Sequence, residues 1–141
     1  VPGDFDGNAT TDMAVYRPST GTWFVRGGTT AVWGASGDIP VPGDYDGDGT
    51  AAVGIWRPEV GGWYIVGQPT RFIGLRGDIP VPGDYDANGS VDVAVFRVFY
   101  RHTAQPKYYA QFVCHETCSL RGGPSTANLG AAGLPVVKLI R

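Results

Sequence analysis

Three short acidic segments carry most of the residues in this chain that could do chemistry. They read VPGDFDGNATTD from Val1, VPGDYDGDGTAA from Val41 and VPGDYDANGSVD from Val81. Each segment brings several carboxylates together around a tight turn. Hard cations such as Ca²⁺ prefer six to eight oxygen ligands at about 2.3–2.6 Å, and close carboxylates without a cation repel each other. The segments are therefore predicted to be calcium-binding loops, here named loop one (4–12), loop two (44–52) and loop three (84–92).

The odd-numbered positions of each loop define the candidate ligands. Counted from the first aspartate, side-chain oxygens stand at positions 1, 3, 5 and 9, and position 7 can offer its carbonyl oxygen. The predicted ligands are Asp4, Asp6, Asn8, Thr10 and Asp12 in loop one, Asp44, Asp46, Asp48 and Thr50 in loop two, and Asp84, Asp86, Asn88, Ser90 and Asp92 in loop three. Ala52 replaces the acid at position 9 of loop two. We therefore expect two strong calcium sites and, in loop two, a weaker one.

Ordinary turns rich in Asp, Asn and Gly are the alternative interpretation of the loops. Such turns use one or two side chains to accept backbone hydrogen bonds, whereas each loop here holds three carboxylates. The spacing is similar to the start of an EF-hand loop, but Val15 and Val95 stand at position 12 in place of glutamate. Because a strand-forming segment follows the loop, a strand–loop–strand calcium site is predicted.

The loops recur at a fixed distance, since Asp4, Asp44 and Asp84 are 40 residues apart. Loops one and two are followed by the same signals, MAVYRP or VGIWRP, a short turn, and then TWFVRG or GWYIVG. Repeats of this length are typical of propellers and solenoids, and four short antiparallel strands have the size of one propeller blade. The predicted fold is all-β, with three β-propeller blades of four antiparallel strands.

The predicted blade repeats cover residues 1–40, 41–80 and 81–137, followed by a terminal strand remnant at 138–141. The third repeat departs from the pattern after Arg97, and an insertion around 98–116 is expected to hold a hairpin or a long loop. TCSLRGG (Thr117–Gly123) aligns with TWFVRGG, unless the tail is unrelated sequence. Because closed propellers have 4–8 blades, the chain is expected to be part of a larger propeller or to be completed as a homo-oligomer.

The stretches GDFDGNATTDMAVYRP and GDYDGDGTAAVGIWRP resemble the FG-GAP/VCBS-type repeats of calcium-binding β-propellers. Those repeats are similar to the blades of integrin α-subunit propellers and of large bacterial surface and secreted proteins. The resemblance is strong over Val1–Arg97 and weak beyond it. It implies a calcium loop between the first two strands of each blade and a secreted or cell-surface location. Ala52 and Ala9 depart from the family's pattern, which has an acid and a glycine at these places.

Charge and composition argue against nucleic-acid binding and against a segment that spans a membrane. The formal net charge is −2, and nine of the thirteen acids lie in the three loops. No basic stripe interleaved with aromatic residues indicates nucleic-acid binding, and no apolar run approaches the roughly 20 residues that span a bilayer. The chain begins with Val1 and has no signal-peptide pattern, so we expect a processed protein or a piece cut from a longer one.

Two aromatic pairs are candidates for stacking on a sugar ligand. In Trp23–Phe24 and Trp63–Tyr64, strand alternation places one member on each face of the sheet. At least one member of each pair is therefore expected in the core. The candidates for ligand stacking are Trp23, Trp63 and Tyr64.

The remaining motifs have structural interpretations. Cys114 and Cys118 are predicted to form a local disulfide in the insertion, with a zinc site as the weaker alternative. The Arg-Gly-Asp sequence at Arg76–Asp78 is similar to an integrin-binding motif. The equivalent segment Ser36–Asp38 reads SGD, so Gly-Asp is a common feature of the repeat and only Arg76 is additional. Adhesion through this sequence is therefore not favoured.

No constellation of serine, cysteine, histidine or carboxylate residues argues for catalysis, so the protein is predicted not to be an enzyme. The leading hypothesis is an extracellular, calcium-stabilised propeller module for adhesion through protein or glycan contacts. The alternatives are a secreted carbohydrate-binding lectin, an appendage of a hydrolase or lyase, and a self-assembling surface or fibre protein that uses strand exchange.

Overall fold

The computed structural model describes residues 1–28, 30–101, 107–114, 126–127 and 137–138. Every regular element in this part of the chain is a β-strand, and every strand pairing is antiparallel. The prediction of an all-β protein built from antiparallel strands is confirmed. The sheets have four, four, three and two strands, and none of them closes on itself.

The first sheet follows the chain in the order β1-β2-β3-β4. Its strands are β1 (Pro2–Gly3), β2 (Asp12–Arg17), β3 (Thr22–Val25) and β4 (Thr30–Val32). Strand β2 alternates as expected for a half-buried strand, with Ala14 and Tyr16 buried and Met13 and Val15 exposed. Loop one joins β1 to β2, so these two strands hold both ends of the acidic segment.

The second sheet repeats this construction in the order β5-β6-β7-β8. Its strands are β5 (Ile39–Pro40), β6 (Gly54–Arg57), β7 (Gly62–Ile65) and β8 (Arg71–Phe72). Trp56 pairs with Trp63 across β6 and β7, as Tyr16 pairs with Trp23 across β2 and β3. Loop two joins β5 to β6, with an isolated bridge between Gly43 and Ala52 at its base.

The turns between the second and third strands of both sheets require glycine. Gly21 and Gly61 have φ values of 63° and 65°, in the left-handed region that favours glycine. A Cβ atom on either residue would also collide with a backbone carbonyl, that of Gly34 or of Gly74. A backbone hydrogen bond accompanies the close approach at each turn. Trp33 N–H donates to the carbonyl of Gly21, and Ile73 N–H donates to the carbonyl of Gly61, both at 2.8 Å.

The third sheet has three strands in the order β11-β10-β9. Its strands are β9 (Ile79–Pro80), β10 (Ala94–Arg101) and β11 (Lys107–Cys114). The long hairpin of β10 and β11 pairs from Ala94 opposite Cys114 to Arg101 opposite Lys107. The predicted insertion around 98–116 thus contributes both arms of a hairpin, and β11 pairs with β10 as β3 pairs with β2.

The chain beyond Cys114 contributes two short strands, β12 (Thr126–Ala127) and β13 (Val137–Lys138), which pair with each other. The predicted alignment of Thr117–Gly123 with the first repeat lies outside the described residues. The predicted terminal remnant at 138–141 is described only at Lys138, the second residue of β13.

Two apolar clusters join the successive sheets. The first contains Tyr16 and Trp23 of the first sheet together with Ile55 of the second, and Val53 and Tyr64 pack against it. A sheet of this size cannot bury its apolar face alone, so the contact between neighbouring sheets supplies the core.

The second cluster joins the second sheet to the third. It contains Trp56, Trp63 and Ile65 from the second sheet, and Val93 and Val95 at the start of the third. Both tryptophans are fully buried. The side-chain layer of one sheet therefore covers the opposing face of the next sheet, and the same arrangement occurs twice along the chain.

Candidate metal centre

Each acidic loop brings three aspartates together. In each cluster one carboxylate oxygen from each aspartate lies within 4.8 Å of the others. The clusters are Asp4, Asp6 and Asp12 in loop one, Asp44, Asp46 and Asp48 in loop two, and Asp84, Asp86 and Asp92 in loop three. Carboxylates at this distance repel each other strongly unless a cation or hydrogen-bond donors compensate their charge.

The first aspartate of each loop shapes the turn that follows it. Asp4 Oδ1 accepts hydrogen bonds from the backbone N–H groups of Gly7 at 2.8 Å and Asn8 at 3.2 Å, and its Oδ2 accepts one from Ala9 at 2.8 Å. Asp44 accepts the equivalent bonds in loop two, and Asp84 accepts two of them in loop three. The loops therefore share one backbone conformation.

The acid at position 9 closes loops one and three. Asp12 Oδ2 accepts the N–H of Phe5 at 2.8 Å, and Asp92 Oδ2 accepts that of Tyr85 at 2.9 Å. Asp92 is buried, so this carboxylate lies at the base of its loop. Ala52 offers no such acceptor in loop two, where the third aspartate of the cluster is Asp48 from position 5.

The polar residues at positions 5 and 7 contact each other. Asn8 Oδ1 accepts both the N–H and the hydroxyl hydrogen bond of Thr10, and Asn8 Nδ2 donates to Asp6 Oδ2 at 2.9 Å. In loop three, Ser90 repeats both bonds to Asn88 Oδ1. In loop two the N–H of Thr50 donates to Asp48 Oδ1 at 2.7 Å. All the sequence-predicted ligands thus lie in three compact groups.

Hydrogen bonding keeps one of the clustered carboxyls ionised. Burial would raise the pKa of Asp44, but the backbone N–H groups of Gly49, Gly47 and Asp48 lower it by more, so that its pKa lies below the ordinary value. Hydrogen bonds to the charged form of a carboxyl favour that form. Asp44 is therefore held in the ionised state that a cation requires.

Neighbouring loops are joined to each other through the backbone. The N–H of Ala51 in loop two donates to the carbonyl of Asp4 in loop one at 2.6 Å, and the N–H of Val91 donates to the carbonyl of Asp44 at 2.6 Å. Loop one is consequently bonded to loop two and loop two to loop three, and we call the three connected loops the acidic row.

The donor set fits a hard cation. The side chains that converge in each loop offer carboxylate, amide and hydroxyl oxygens, which are the ligands that Ca²⁺ prefers. The clusters are compatible with calcium, and the three aspartates of each cluster would hold the ion. Loop two differs from the other two because Ala52 removes one carboxylate from the base of the site.

A cavity of about 320 Å³ opens beside loop one. Its lining includes Asp6 and Asp12 of the loop, the guanidinium-bearing Arg26, and apolar side chains of Phe5 and Val53. The cavity therefore combines two carboxylates of a candidate metal site with a cationic side chain, between the first and second sheets.

Two ion pairs between a buried aspartate and a partly exposed arginine were not predicted from the sequence. Asp38 accepts bidentate bonds from Arg57 Nε and Nη2, both at 2.8 Å, and Asp78 accepts the same pair from Arg97 at 2.7 Å. Both carboxylates have side chains only 2% exposed. The signal was a common separation, since each arginine follows its aspartate by 19 residues in both units.

The predicted ligand-stacking role of two tryptophans is wrong. Trp23 and Trp63 are 0% exposed, and their indole N–H groups donate to the carbonyls of Trp33 and Ile73 at 3.0 Å. Their rings are core residues because the neighbouring sheet covers them. Tyr64 lies on the opposite face and is half-buried, with the guanidinium of Arg57 at 5.0 Å from its ring centroid.

The predicted disulfide cannot be placed, because Cys118 lies outside the described residues. Among the residues that are described, no helix is long and apolar enough to cross a bilayer. Comparison of the chain with models of known protein families, with curated proteins and with solved structures gave no match. Function must therefore be argued from the loops themselves.

Proposed function

We propose that the chain is a non-enzymatic module of the FG-GAP/VCBS type, stabilised by calcium, that serves extracellular contacts with proteins or glycans. The observation that carries the proposal is the repetition of one loop geometry three times, each with three aspartates that converge within 4.8 Å. A single acidic turn would carry little weight, but three equivalent turns joined by backbone hydrogen bonds support a common ligand.

Calcium has a structural role in this proposal. Each loop joins two adjacent strands, so an ion bound there neutralises the carboxylates and fixes the strand connection. An ion that binds only the folded state stabilises it by about 2.7 kcal/mol per site when its concentration is 100 times the dissociation constant. The arrangement of the sheets supports the same proposal, because the first sheet packs on the second in the manner in which the second packs on the third.

The cavity beside loop one is where we propose that the module contacts its partner. Asp6 and Asp12 would hold the ion, and Arg26 lines the same cavity with a positive charge. A hydroxyl-rich or carboxylate-bearing ligand matches this combination. The lectin alternative loses its main support with the burial of Trp23 and Trp63.

The first test is calorimetric titration of the parent chain with Ca²⁺, together with thermal melts in excess Ca²⁺ and in excess EGTA. We expect two strong sites and one weaker site, and a melting temperature that rises with calcium. Asp92→Ala should weaken the site in loop three. Ala52→Asp should strengthen the site in loop two, because it adds the missing carboxylate.

Glu59→Ala is the matched control, since Glu59 is an exposed acid outside the loops. It should leave both the calcium stoichiometry and the melting temperature unchanged. Identical melts of the parent in Ca²⁺ and EGTA would show that the loops are ordinary turns, and the proposed function would then be withdrawn.

A further inference from the structure

The first sheet presents an apolar face that no other sheet in the described part of the chain covers. Met13 and Val15 on β2 are each 62% exposed, and Phe24 pairs with Val15 from the neighbouring strand β3. We call Met13, Val15 and Phe24 the open face. The guanidinium of Arg17 lies over the Phe24 ring at 4.8 Å from its centroid, at the margin of this face.

The equivalent face of the second sheet is covered by the first sheet. Ile55 follows Val15 by 40 residues and is 1% exposed, because Tyr16 and Trp23 pack on it. Arg57 lies over Tyr64 at 5.0 Å, as Arg17 lies over Phe24. The two faces are therefore built alike, and they differ in what lies on them.

The equivalent positions in the third sheet are also covered. Val93 and Val95 follow Met13 and Val15 by 80 residues, or two repeats, and both are 0% exposed beneath Trp56 and Trp63. In both internal contacts, one aliphatic strand face receives a pair of aromatic residues from adjacent strands. The open face thus has the same kind of apolar side chains as the strand faces on which aromatic residues pack in the two internal contacts.

The third sheet of a second copy of the chain offers an aromatic residue that could pack on the open face. Phe96 on β10 follows Trp56 by 40 residues, as Trp56 follows Tyr16, and the backbone of β10 pairs with β11 as β2 pairs with β3 and β6 with β7. Phe96 therefore stands at the position of the covering aromatic residues Tyr16 and Trp56 in the same repeated order.

We propose that the open face binds a second copy of this chain, through the third sheet of that copy. The contact is head-to-tail, so the two surfaces that meet are different, and it yields either a ring that closes or a series of longer assemblies. Clustered exposed apolar residues next to a cationic rim are typical of such interaction surfaces. This proposal does not depend on the proposed calcium function.

The experiment is sedimentation velocity over a series of protein concentrations in excess Ca²⁺, with Val15→Lys beside the parent. The parent should form dimers or larger assemblies as its concentration rises. Val15→Lys should weaken association about a hundredfold or more, because it buries an unpaired charge in the contact. Circular dichroism checks that the variant keeps its β-structure, since Val15 is exposed within one chain.

Phe72→Lys is the matched control, because Phe72 is a similarly exposed apolar residue, 68% exposed on β8, outside the open face. It should associate as the parent does. A parent that remains a monomer at the highest concentration would overturn the proposal. Association that survives Val15→Lys, or that is lost equally in Phe72→Lys, would overturn it as well.

Discussion

Asp78 has a structural role that its position in an Arg-Gly-Asp sequence conceals. Its carboxylate is buried, accepts two bonds from Arg97, and accepts the N–H of Leu75 at 2.7 Å. Such bidentate, charge-assisted bonds fix geometry as well as contributing energy. Asp38 accepts the equivalent bonds from Arg57 and Ala35, so this arrangement ties the turn before β5 to β6 and the turn before β9 to β10.

Asp78→Ala should destabilise the fold by about 2–4 kcal/mol, because it leaves a guanidinium and a backbone N–H without their acceptor. Arg76→Ala, two residues away in the same sequence, should change stability by no more than about 0.5 kcal/mol, since Arg76 is exposed. Chemical denaturation of both variants measures the difference. Equal stabilities would contradict the structural role of Asp78.

Tyr16 should make the fold sensitive to alkaline pH. Burial, followed by the charge of Asp38, raises the pKa of Tyr16 above its ordinary value of 10.0, with Arg57 opposing this in part. Below pH 10 both the folded and unfolded chains keep the proton, so the contribution to stability is complete. As the pH rises through 10 towards the folded pKa, only the unfolded chain ionises, and stability falls.

Tyr16→Phe should therefore reduce the loss of stability above about pH 10. Denaturant unfolding of the parent and the variant at a series of pH values measures this slope. Part of the slope should remain, because burial also raises the pKa of Tyr45 and Tyr85. Superimposable alkaline curves would rule out the assigned contribution of Tyr16.

At the scale of elements, the acidic loops use two left-handed positions each. Gly47 and Gly49 in loop two have φ values of 77° and 89°, whereas loop one places Ala9 at 63° and loop three places Ala87 at 59°. Left-handed backbone disfavours residues with a Cβ atom by about 1–2 kcal/mol. The two alanines thus carry local strain that glycine would remove.

Ala9→Gly and Ala87→Gly should each stabilise the fold by several tenths of a kcal/mol to about 1 kcal/mol, since the relief of strain exceeds the added flexibility of the unfolded chain. Ala35→Gly is the control, because Ala35 is an exposed loop residue without a left-handed φ. It should lower stability slightly. Thermal melts with calcium absent separate this effect from metal binding.

Local sequence patterns predicted the strands and the acidic loops. Features that depend on contacts between distant residues could not be predicted. The strands after the loops follow from the alternation of β2, and the convergence of Asp4, Asp6 and Asp12 follows from spacing within one turn. The ion pair of Asp78 with Arg97 joins residues 19 apart, so no single motif contains it. The burial of Trp23 depends on Ile55 in the next sheet, which the pattern of its own strand cannot reveal.

At the scale of the whole molecule, the apolar contacts between neighbouring sheets supply the buried core that stabilises the fold. Ile55 is buried only because the first sheet lies against the second, while Val15 at the equivalent place is exposed. The same residue class at the same strand position therefore has two different energetic roles. A single sheet of this kind should not fold alone.

Ile55→Ala should destabilise the chain by about 2–4 kcal/mol through lost burial and a residual cavity. Val15→Ala should change stability by no more than about 0.5 kcal/mol when measured at concentrations where the chain is a monomer. Equilibrium unfolding of the two variants makes the comparison. A loss for Val15→Ala as large as that for Ile55→Ala would show that the first sheet is covered within one chain.

The hydrogen bonds between neighbouring loops make the acidic row more than a set of separate sites. The carbonyl of Asp4 accepts a hydrogen bond from the N–H of Ala51, and the carbonyl of Asp44 accepts one from the N–H of Val91. An ion that orders one loop would therefore remove part of the entropy that the next loop must lose on binding. We expect positive cooperativity, with a Hill coefficient above one, so that the module would stiffen over a narrow range of calcium concentration.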